Sequence, residues 1–411
     1  MIKLDISGID LDAHEENFRR PILKALGWLS SAPHPERFSF EDRRLSQFGR
    51  RVMDMPELGG SAAKEYCAHL YAALSAAQYP MSVEDMLDLV RQDQVFRIMH
   101  GWRRLDQLHE HTRTPREMVA CQKCLRTIFS YEAFSSSSRL EWNDSEHKLI
   151  ARPVSDGGKW GAFEFLSELY RVNHLSCCPY CNADYVYAVQ ADDGNACVRT
   201  DIDHFFPRWK YPYLALCLRN LVPSCARCNS RFKKGLDVLA HNHPVRKRKT
   251  YDENLSLTAA PVLAISNPYC DDLHYSIRFE LQDVSLEMLL GQVQVSDPHL
   301  NCFTVKGRGG DRFGASVKLF HLQSVYRQIY GRELKEMPLR IGIAMSEYPN
   351  MIVSAIREWS GLCNLDDRKL LNADNLRRLL LNGSLCPEKI NDERLGKLKF
   401  DIYEQLCGFA I

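Results

Sequence analysis

The sequence contains no apolar run of the roughly 18–20 residues that a membrane-spanning helix requires. Residues 1–20 place acidic side chains where a secretory signal peptide would have an apolar core. Internal repeats, coiled-coil heptads and long low-complexity tracts are also absent. With 45% hydrophobic and 26% charged residues, the composition is that of a soluble globular protein, for which we expect a cytoplasmic location and no membrane partner. A length of 411 residues suggests two or three domains.

The chain also has almost no net charge, only +1, so it is not basic as a whole. One segment departs from this balance, because residues 199–249 hold twelve lysines or arginines and three aspartates, a charge of +9. A local basic segment in a neutral protein is typical of a site for a polyanion such as nucleic acid. A solvated surface would carry the same charges, so charge alone does not decide between the two interpretations.

Two of the closely spaced cysteine pairs indicate a metal site. The chain has fifteen cysteines, and disulfides are rare in the cytosol, so CxxC pairs are interpreted as metal ligands. The thiolates of Cys178, Cys181, Cys225 and Cys228 would close a tetrahedral structural zinc site. Cys177 adjoins the first pair but has the wrong spacing. The isolated cysteines are expected to be buried among apolar residues: Cys67, Cys217, Cys302, Cys363 and Cys407.

Apolar periodicity predicts helices at both ends of the chain. The first 110 residues are expected to be helical, with a helix over residues 61–77 and a capping box at Ser82 and Asp85. The last 90 residues are also expected to be helical. Their apolar stripes are Leu322, Val325, Tyr326 and Ile329, and then Ile352, Val353, Ile356 and Trp359. Residues 134–138 and 156–158 have the composition of loops.

The centre of the chain is expected to form a β-hairpin followed by a helix. Strands are predicted over residues 185–190 and 197–203, with a turn at residues 192–195. Ser224 is a favourable N-cap and Gly235 a favourable C′ residue for the helix that follows. Further strands are predicted over residues 261–266 and 275–281.

The hairpin and helix carry the residue types that phosphodiester hydrolysis needs: a base for water, and ligands for a hard cation. His204 can be the base, since its ordinary pKa of ~6.5 lets it accept a proton near neutrality. Asp203 and Asn229 offer oxygen ligands suited to Mg²⁺ or Mn²⁺. Lys233 follows Asn229 by four residues, so on a regular helix it would share that face and could hold a phosphate. Asp201 is an additional ligand, a group that hydrogen-bonds to the ligands, or a solvated carboxylate on the strand.

One stereochemical difficulty accompanies this assignment. Consecutive residues of a regular strand point to opposite faces, so Asp203 and His204 serve one phosphate only if the strand ends or twists there. The sequence Phe205-Phe206-Pro207 is compatible with such an ending.

The motifs CPYC, DIDHFFP and NLVPSCARCNSRFKKG together resemble the HNH nuclease family in its zinc-knuckle form, across residues 178–235. No motif position is changed. The resemblance implies that His204 activates water and that Asp203 and Asn229 bind the catalytic Mg²⁺ or Mn²⁺. It also implies that Asn220 holds the loop that orients His204, and that the four knuckle cysteines bind zinc. Members of the family attack in line and leave a 5′-phosphate and a 3′-hydroxyl.

The resemblance further implies an α+β fold with a central ββα-metal module. The expected regions are a mostly helical N-terminal part (1–170), the HNH module (171–250) and a mixed, mainly helical C-terminal part (251–411). The expected substrate is nucleic acid, above all double-stranded DNA. By association with the family, the chain is expected to act in bacterial restriction or anti-phage defence, with an ATPase or other defence subunit as partner.

Several basic residues are candidate contacts for the nucleic-acid backbone. They are Arg231, Lys233, Lys234, Arg246 and Lys247. The run at residues 246–249 fits equally a nuclear-localisation tag or a solvated loop. The competing function is a zinc-knuckle module that binds nucleic acid or protein without cutting it.

Two further groups have open interpretations. Cys121 and Cys124 are either half of a second zinc site, completed by His109, His111 or His147, or a pair of buried thiols. His241 and His243 either extend the metal site or belong to a polar loop.

Overall fold

The computed structural model describes residues 3–44, 51–54, 61–100, 116–154, 160–190, 197–239, 263–270, 277–281, 300–304, 311–329 and 394–407, with a few single positions between 336 and 354. The chain divides into two compact units. The larger unit contains Leu4–Asn173 and Tyr187–Cys270, and the smaller unit contains Met1–Lys3, His174–Val186 and Asp271–Ile411. Neither unit coincides with one of the three regions expected from the sequence, because each is built from more than one stretch of chain.

The larger unit begins with helices. Helix α1 (Leu11–His14) continues through a π-helical turn (Glu15–Arg19) into α2 (Arg20–Ser31), and α3 (Ser61–Ala76) and α4 (Val83–Met99) follow. The predicted helix over 61–77 is therefore confirmed. So is the capping box, because Ser82 Oγ accepts from the Asp85 amide at 3.0 Å and Asp85 Oδ2 accepts from the Ser82 amide at 2.8 Å.

Three more helices complete this part of the larger unit: α5 (Arg116–Ile128), α6 (Tyr131–Ser135) and α7 (Ala162–Asn173). The loop predicted over residues 134–138 is confirmed only at Ser136 and Ser137, which form a turn between α6 and the strand that follows. Ser130 caps α6 by accepting from the Ala133 amide at 3.3 Å, and Ser138 begins a strand. Within the serine run, Ser135 ends α6 and Ser138 starts the strand, so the loop is shorter than the run that indicated it.

A four-stranded sheet interrupts the region that was predicted to be helical. It is formed by β1 (Ser39–Asp42), β2 (Arg51–Asp54), β3 (Ser138–Asn143) and β4 (Lys148–Pro153), in the order β2-β1-β4-β3. Strands β1 and β4 are parallel, and the other pairs are antiparallel. Strand β1 is four residues long and buried at every position, so it shows no alternation by which a sequence pattern could identify it.

Two small antiparallel pairs precede and contain the candidate site. The predicted hairpin exists as β5 (Ala188–Gln190) and β6 (Cys197–Arg199). The single strand predicted over 197–203 is divided at Thr200. Beyond that residue, β7 (Asp201–His204) pairs instead with β8 (Leu221–Ser224), placing His204 opposite Leu221. The strand pair that carries His204 is thus β7–β8 and not the predicted hairpin.

A short π-helix, Arg227–Lys233, follows β8, and we call it the site helix. The predicted N-cap Ser224 was wrong, because it ends β8 and its Oγ is buried without a hydrogen-bond partner. The sulfur of Cys225 instead accepts from the Cys228 amide at 3.5 Å. The helix ends at Lys234, which adopts a positive φ of 54° and donates its amide to the Asn229 carbonyl at 2.6 Å.

The smaller unit contains strands β9 (Ile277–Leu281) and β10 (Leu300–Thr304), which are antiparallel, and helices α8 (Asp311–Leu319), α9 (Leu322–Ile329) and α10 (Gly396–Cys407). Strand β9 confirms the prediction over 275–281, and α9 buries Leu322, Val325 and Tyr326 of the predicted stripe. The strand predicted over 261–266 is represented by an isolated bridge between Leu239 and Leu263.

Helices and small sheets thus coexist in the described part of the chain, which confirms the α+β class. None of the described helices is both long and apolar enough to cross a membrane. The stripe from Ile352 to Trp359, the turn at 192–195 and the loop at 156–158 lie outside the described residues.

Candidate functional site

His204 is the last residue of β7, and its ring is held by two neighbours. The Nε2 atom lies 3.1 Å from the carbonyl oxygen of Ala215, and the rings of Tyr131 and His204 pack in a T-shaped arrangement with their centroids 4.4 Å apart. A carbonyl oxygen can only accept, so this hydrogen bond places the proton on Nε2 and leaves the lone pair on Nδ1. Among the described residues, Nδ1 has no hydrogen-bond partner.

The surroundings of His204 keep its imidazole neutral. The pKa of His204 is lowered to about 3, mainly by burial and also by the positive charges of Arg208 and Lys233, while the hydrogen bond to Ala215 acts in the opposite direction. The ring is therefore unprotonated throughout the neutral range. A neutral imidazole with an unbonded Nδ1 is able to accept a proton, and the lowered pKa at the same time makes it a weaker base than an ordinary histidine.

Asn220 fixes the loop that contains Ala215. It is fully buried at the end of a 3-10 turn, where Oδ1 accepts from the Phe206 amide at 2.6 Å. Its Nδ2 donates to the carbonyls of Leu214 at 2.8 Å and Phe206 at 3.2 Å. Leu214 directly precedes Ala215, so Asn220 positions the carbonyl that orients His204. These contacts agree with the role that the family resemblance implied for Asn220.

Asp203 is paired with a lysine. It is 3% exposed, and its Oδ1 accepts from Lys233 Nζ at 3.0 Å. The same ammonium donates to the His204 carbonyl at 2.9 Å. The side chains of Asp203 and His204 thus turn to different neighbours, the site helix and the loop after β7, as expected for consecutive strand residues.

This pairing corrects the expectation for Lys233. Its side chain is fully buried against Asp203, so it does not present its charge at the surface for a phosphate contact. A shared face with Asn229 was expected for a regular α-helix, whereas the site helix is a π-helix. Asn229 itself is half-buried on that helix, and its side-chain amide has no hydrogen-bond partner among the described residues.

The four cysteines of the two predicted pairs are brought together. The Sγ atoms of Cys178, Cys181, Cys225 and Cys228 all lie within 4.8 Å of one another, and all four residues are buried. Tetrahedral zinc with Zn–S bonds of about 2.3 Å holds its sulfurs about 3.8 Å apart. The cluster therefore has the donor type, number and spacing to hold a metal ion such as zinc. Cys177 is not part of it, in agreement with its spacing.

Local hydrogen bonds shape the turn that carries Cys178 and Cys181. The Cys178 carbonyl accepts from the Asn182 amide at 2.7 Å, and the Cys178 amide donates to the Asp184 carbonyl at 2.8 Å. Asn182 is fully buried with a positive φ of 52°, and its Oδ1 accepts from the Lys397 amide at 3.0 Å. This turn is thus anchored to the start of α10 within the smaller unit.

The third CxxC pair has a different environment. Cys121 and Cys124 lie in α5 and are almost fully buried, and burial raises the pKa of both thiols. Among the described residues, they belong to no group of three or more potential metal ligands. His147 stacks on the Trp28 ring at 4.5 Å between centroids. These observations favour the buried-thiol interpretation over a second zinc site.

Several candidate residues remain predictions. Arg231 and Lys234 are exposed on and just after the site helix, where a phosphate backbone could reach them. The other candidates lie outside the described residues: Arg246, Lys247, the rest of the run at 246–249, His109, His111, His241 and His243.

A buried polar network that the sequence did not reveal holds the loop after β7. Tyr213 donates to Asp93 Oδ2 at 3.1 Å, and Arg97 Nε donates to the same carboxylate at 2.9 Å. Arg97 also donates to the Tyr66 hydroxyl at 3.0 Å. This network ties the loop to α3 and α4. No sequence pattern could have found it, because Asp93 and Tyr213 are 120 positions apart.

Comparisons of the chain with protein-family models, with curated proteins and with solved structures found no match. The functional interpretation therefore depends on the residues and their geometry.

Proposed function

We propose that this protein is a metal-dependent endonuclease that hydrolyses phosphodiester bonds of nucleic acid, with His204 as the general base. The observation that carries the proposal is the hydrogen bond from His204 Nε2 to the Ala215 carbonyl, which leaves a neutral Nδ1 as proton acceptor. The strand–strand–helix order of β7, β8 and the site helix also matches the ββα arrangement that the motifs imply.

In this mechanism, His204 Nδ1 takes a proton from a water molecule. The resulting hydroxide attacks the phosphorus in line, the bond to the 3′ oxygen breaks, and that oxygen leaves with a proton from solvent. The products are a 5′-phosphate and a 3′-hydroxyl. Asn220 acts as a positioning residue through the Leu214 and Ala215 segment.

Asp203 and Asn229 would hold the catalytic cation. A carboxylate and an amide are oxygen donors of the kind that Mg²⁺ and Mn²⁺ prefer, and Asn229 has its side-chain oxygen unengaged by described residues. The ion supplies neutralisation of the charge on the phosphate and on the leaving oxygen. Zinc in the four-cysteine cluster has a structural role and takes no part in the reaction.

A second candidate is a zinc-knuckle module that binds nucleic acid or protein without cutting it. One observation favours this alternative: Asp203 is buried and already neutralised by Lys233. We infer the biological setting, bacterial restriction or anti-phage defence in the cytoplasm with an ATPase or other defence subunit, only from the family resemblance.

Incubation of the purified chain with plasmid DNA, single-stranded DNA and RNA in Mg²⁺, Mn²⁺ or EDTA tests the proposal. We expect cleavage only with a divalent ion, and product ends that a ligase can rejoin because they carry 5′-phosphate and 3′-hydroxyl groups. Cleavage that survives EDTA, or ends that carry a 3′-phosphate, would contradict the mechanism. Binding without cleavage of any substrate, with or without a candidate partner, would favour the second candidate.

A further inference from the structure

An open groove of about 570 Å³ lies beside His204 in the larger unit. Its walls come from β1, α5, α6 and the loop after β7. Tyr131, whose ring packs against His204, lines it, as does Ala215, whose carbonyl accepts from His204 Nε2. The groove therefore shares two of its lining residues with the surroundings of the proposed base.

The groove has an excess of positive charge. Two of its cations are compensated, because Arg44 pairs with Asp42 and Arg208 donates to Glu132 at 2.7 Å. Two others, Lys123 and Arg126, are exposed one helical turn apart on α5. Arg126 donates to the Trp209 carbonyl at 2.9 Å, a contact that leaves its charge uncompensated. The opening therefore suits a chain of phosphates.

The rest of the lining is largely aromatic. Phe40 and Phe129 are buried, and Tyr131 and Trp209 are half-buried. Exposed cations beside partly exposed aromatic rings are the combination by which proteins hold unpaired nucleotides, since every base has a face that can stack.

We propose that this groove binds an unpaired segment of the nucleic-acid strand next to the phosphate that is cut, so that the substrate is single-stranded or locally unwound. The inference rests on the proposed function and names its substrate class. A volume of 570 Å³ lies within the range of about 300–1,000 Å³ of sites that hold small molecules. The bases of a double helix are paired and stacked within the duplex, so their faces cannot stack on the aromatic rings that line the groove. The proposal replaces the expectation of intact duplex DNA as substrate.

The test measures binding separately from cleavage. The full-length His204→Ala protein is titrated in EDTA against a fluorescent single-stranded oligonucleotide and against the duplex of the same sequence, at several salt concentrations. The groove variant adds Lys123→Ala and Arg126→Ala. A matched control adds Lys24→Ala and Lys318→Ala, which remove the same charge from exposed lysines that do not line the groove.

We expect tighter binding of the single strand than of the duplex. The groove variant should bind the single strand roughly tenfold more weakly near physiological salt, and its slope of log affinity against log salt should fall by about 1.4, the value for two lost phosphate contacts. The control should bind like the parent protein. Equal losses in both variants, no loss in the groove variant, or preference for the duplex would overturn the proposal. If the groove variant behaves as expected but wild-type protein cleaves nothing, the proposed nuclease activity fails while the groove assignment stands.

Discussion

At the scale of single residues, a buried ion pair beside the candidate site contributes to the stability of the fold. Asp203 and Lys233 are both almost completely buried and are joined by an ion pair of 3.0 Å. Two charges removed from water need one another, because the loss of either leaves the other uncompensated in a medium of low dielectric constant. This pair joins β7 to the site helix.

Lys233→Met should destabilise the protein by about 3–5 kcal/mol, because it leaves the Asp203 carboxylate buried without its partner. Lys234→Met is the matched control, since the same change at the exposed neighbouring position should alter stability by no more than about 0.5 kcal/mol. Urea unfolding measures both. Adding Asp203→Asn to Lys233→Met should recover part of the loss, and no recovery would argue against the ion pair.

A buried histidine, His14, makes the stability of the protein depend on pH. His14 is 3% exposed, and burial lowers its pKa to about 3 from the ordinary value of 6.5. Between these two pH values the unfolded chain binds more protons than the folded protein, so the free energy of unfolding decreases as the pH falls from 6.5 towards 3. At pH 5 the loss is about 2 kcal/mol for this one residue.

The comparison of His14→Phe with wild type isolates this contribution. Phe suits the site because the rings of Phe18, Phe134 and Trp160 surround it. The difference in unfolding free energy between pH 7.5 and pH 5 should be smaller in the variant by about 2 kcal/mol. An unchanged pH dependence would mean that His14 is not held neutral in the folded state.

At the scale of elements, the loop after β7 acts as the positioning device. Asn220 bonds it from within, and Tyr213 bonds it to the carboxylate of Asp93 on α4. Tyr213→Phe should therefore cost about 1.5–3 kcal/mol, the range for a hydrogen bond to a charged group. It should also lower kcat more than it raises KM, since His204 is oriented by this loop. Tyr71→Phe, at a half-exposed position on α3, should change neither quantity.

The start of the site helix depends on the cysteine cluster. We expect the purified protein to contain one zinc ion per chain, and Cys225→Ala to lose it, because three thiolates bind zinc more weakly than four. Cys177→Ala removes a buried thiol outside the cluster and should keep its zinc. Metal content measured by mass spectrometry decides the matter, and zinc retained at wild-type level by Cys225→Ala would contradict the assignment.

Across the whole molecule, sequence patterns predicted the features that depend on residues close to one another in the chain. The capping box at Ser82 and Asp85, the helix over 61–77 and the convergence of the two CxxC pairs all follow from short spacings. The patterns failed where the partner is distant. Strand β1 owes its place to β4, about a hundred residues later, and Thr200 divides a predicted strand because the chain changes pairing partner there.

At the candidate site, too, sequence patterns indicated some residues and not others. The motifs identified His204, Asp203, Asn220 and Asn229, but Ala215, Tyr131 and the groove cations come from loops and helices with no recognisable motif. The surface role expected of Lys233 was wrong because spacing along a helix does not report burial against a strand.

The most direct test of the account is the cleavage rate of His204→Ala beside wild type, under single-turnover conditions with Mg²⁺ or Mn²⁺. His34→Ala, at an exposed histidine away from the site, serves as control. General-base catalysis typically contributes a factor of about 10²–10⁴ to the rate, so the cleavage rate of the His204 variant should fall by a factor in this range. The variant should still bind zinc and nucleic acid, and the control should keep the wild-type rate. Metal-dependent cleavage by a folded His204→Ala protein at the wild-type rate would mean that His204 is not the general base.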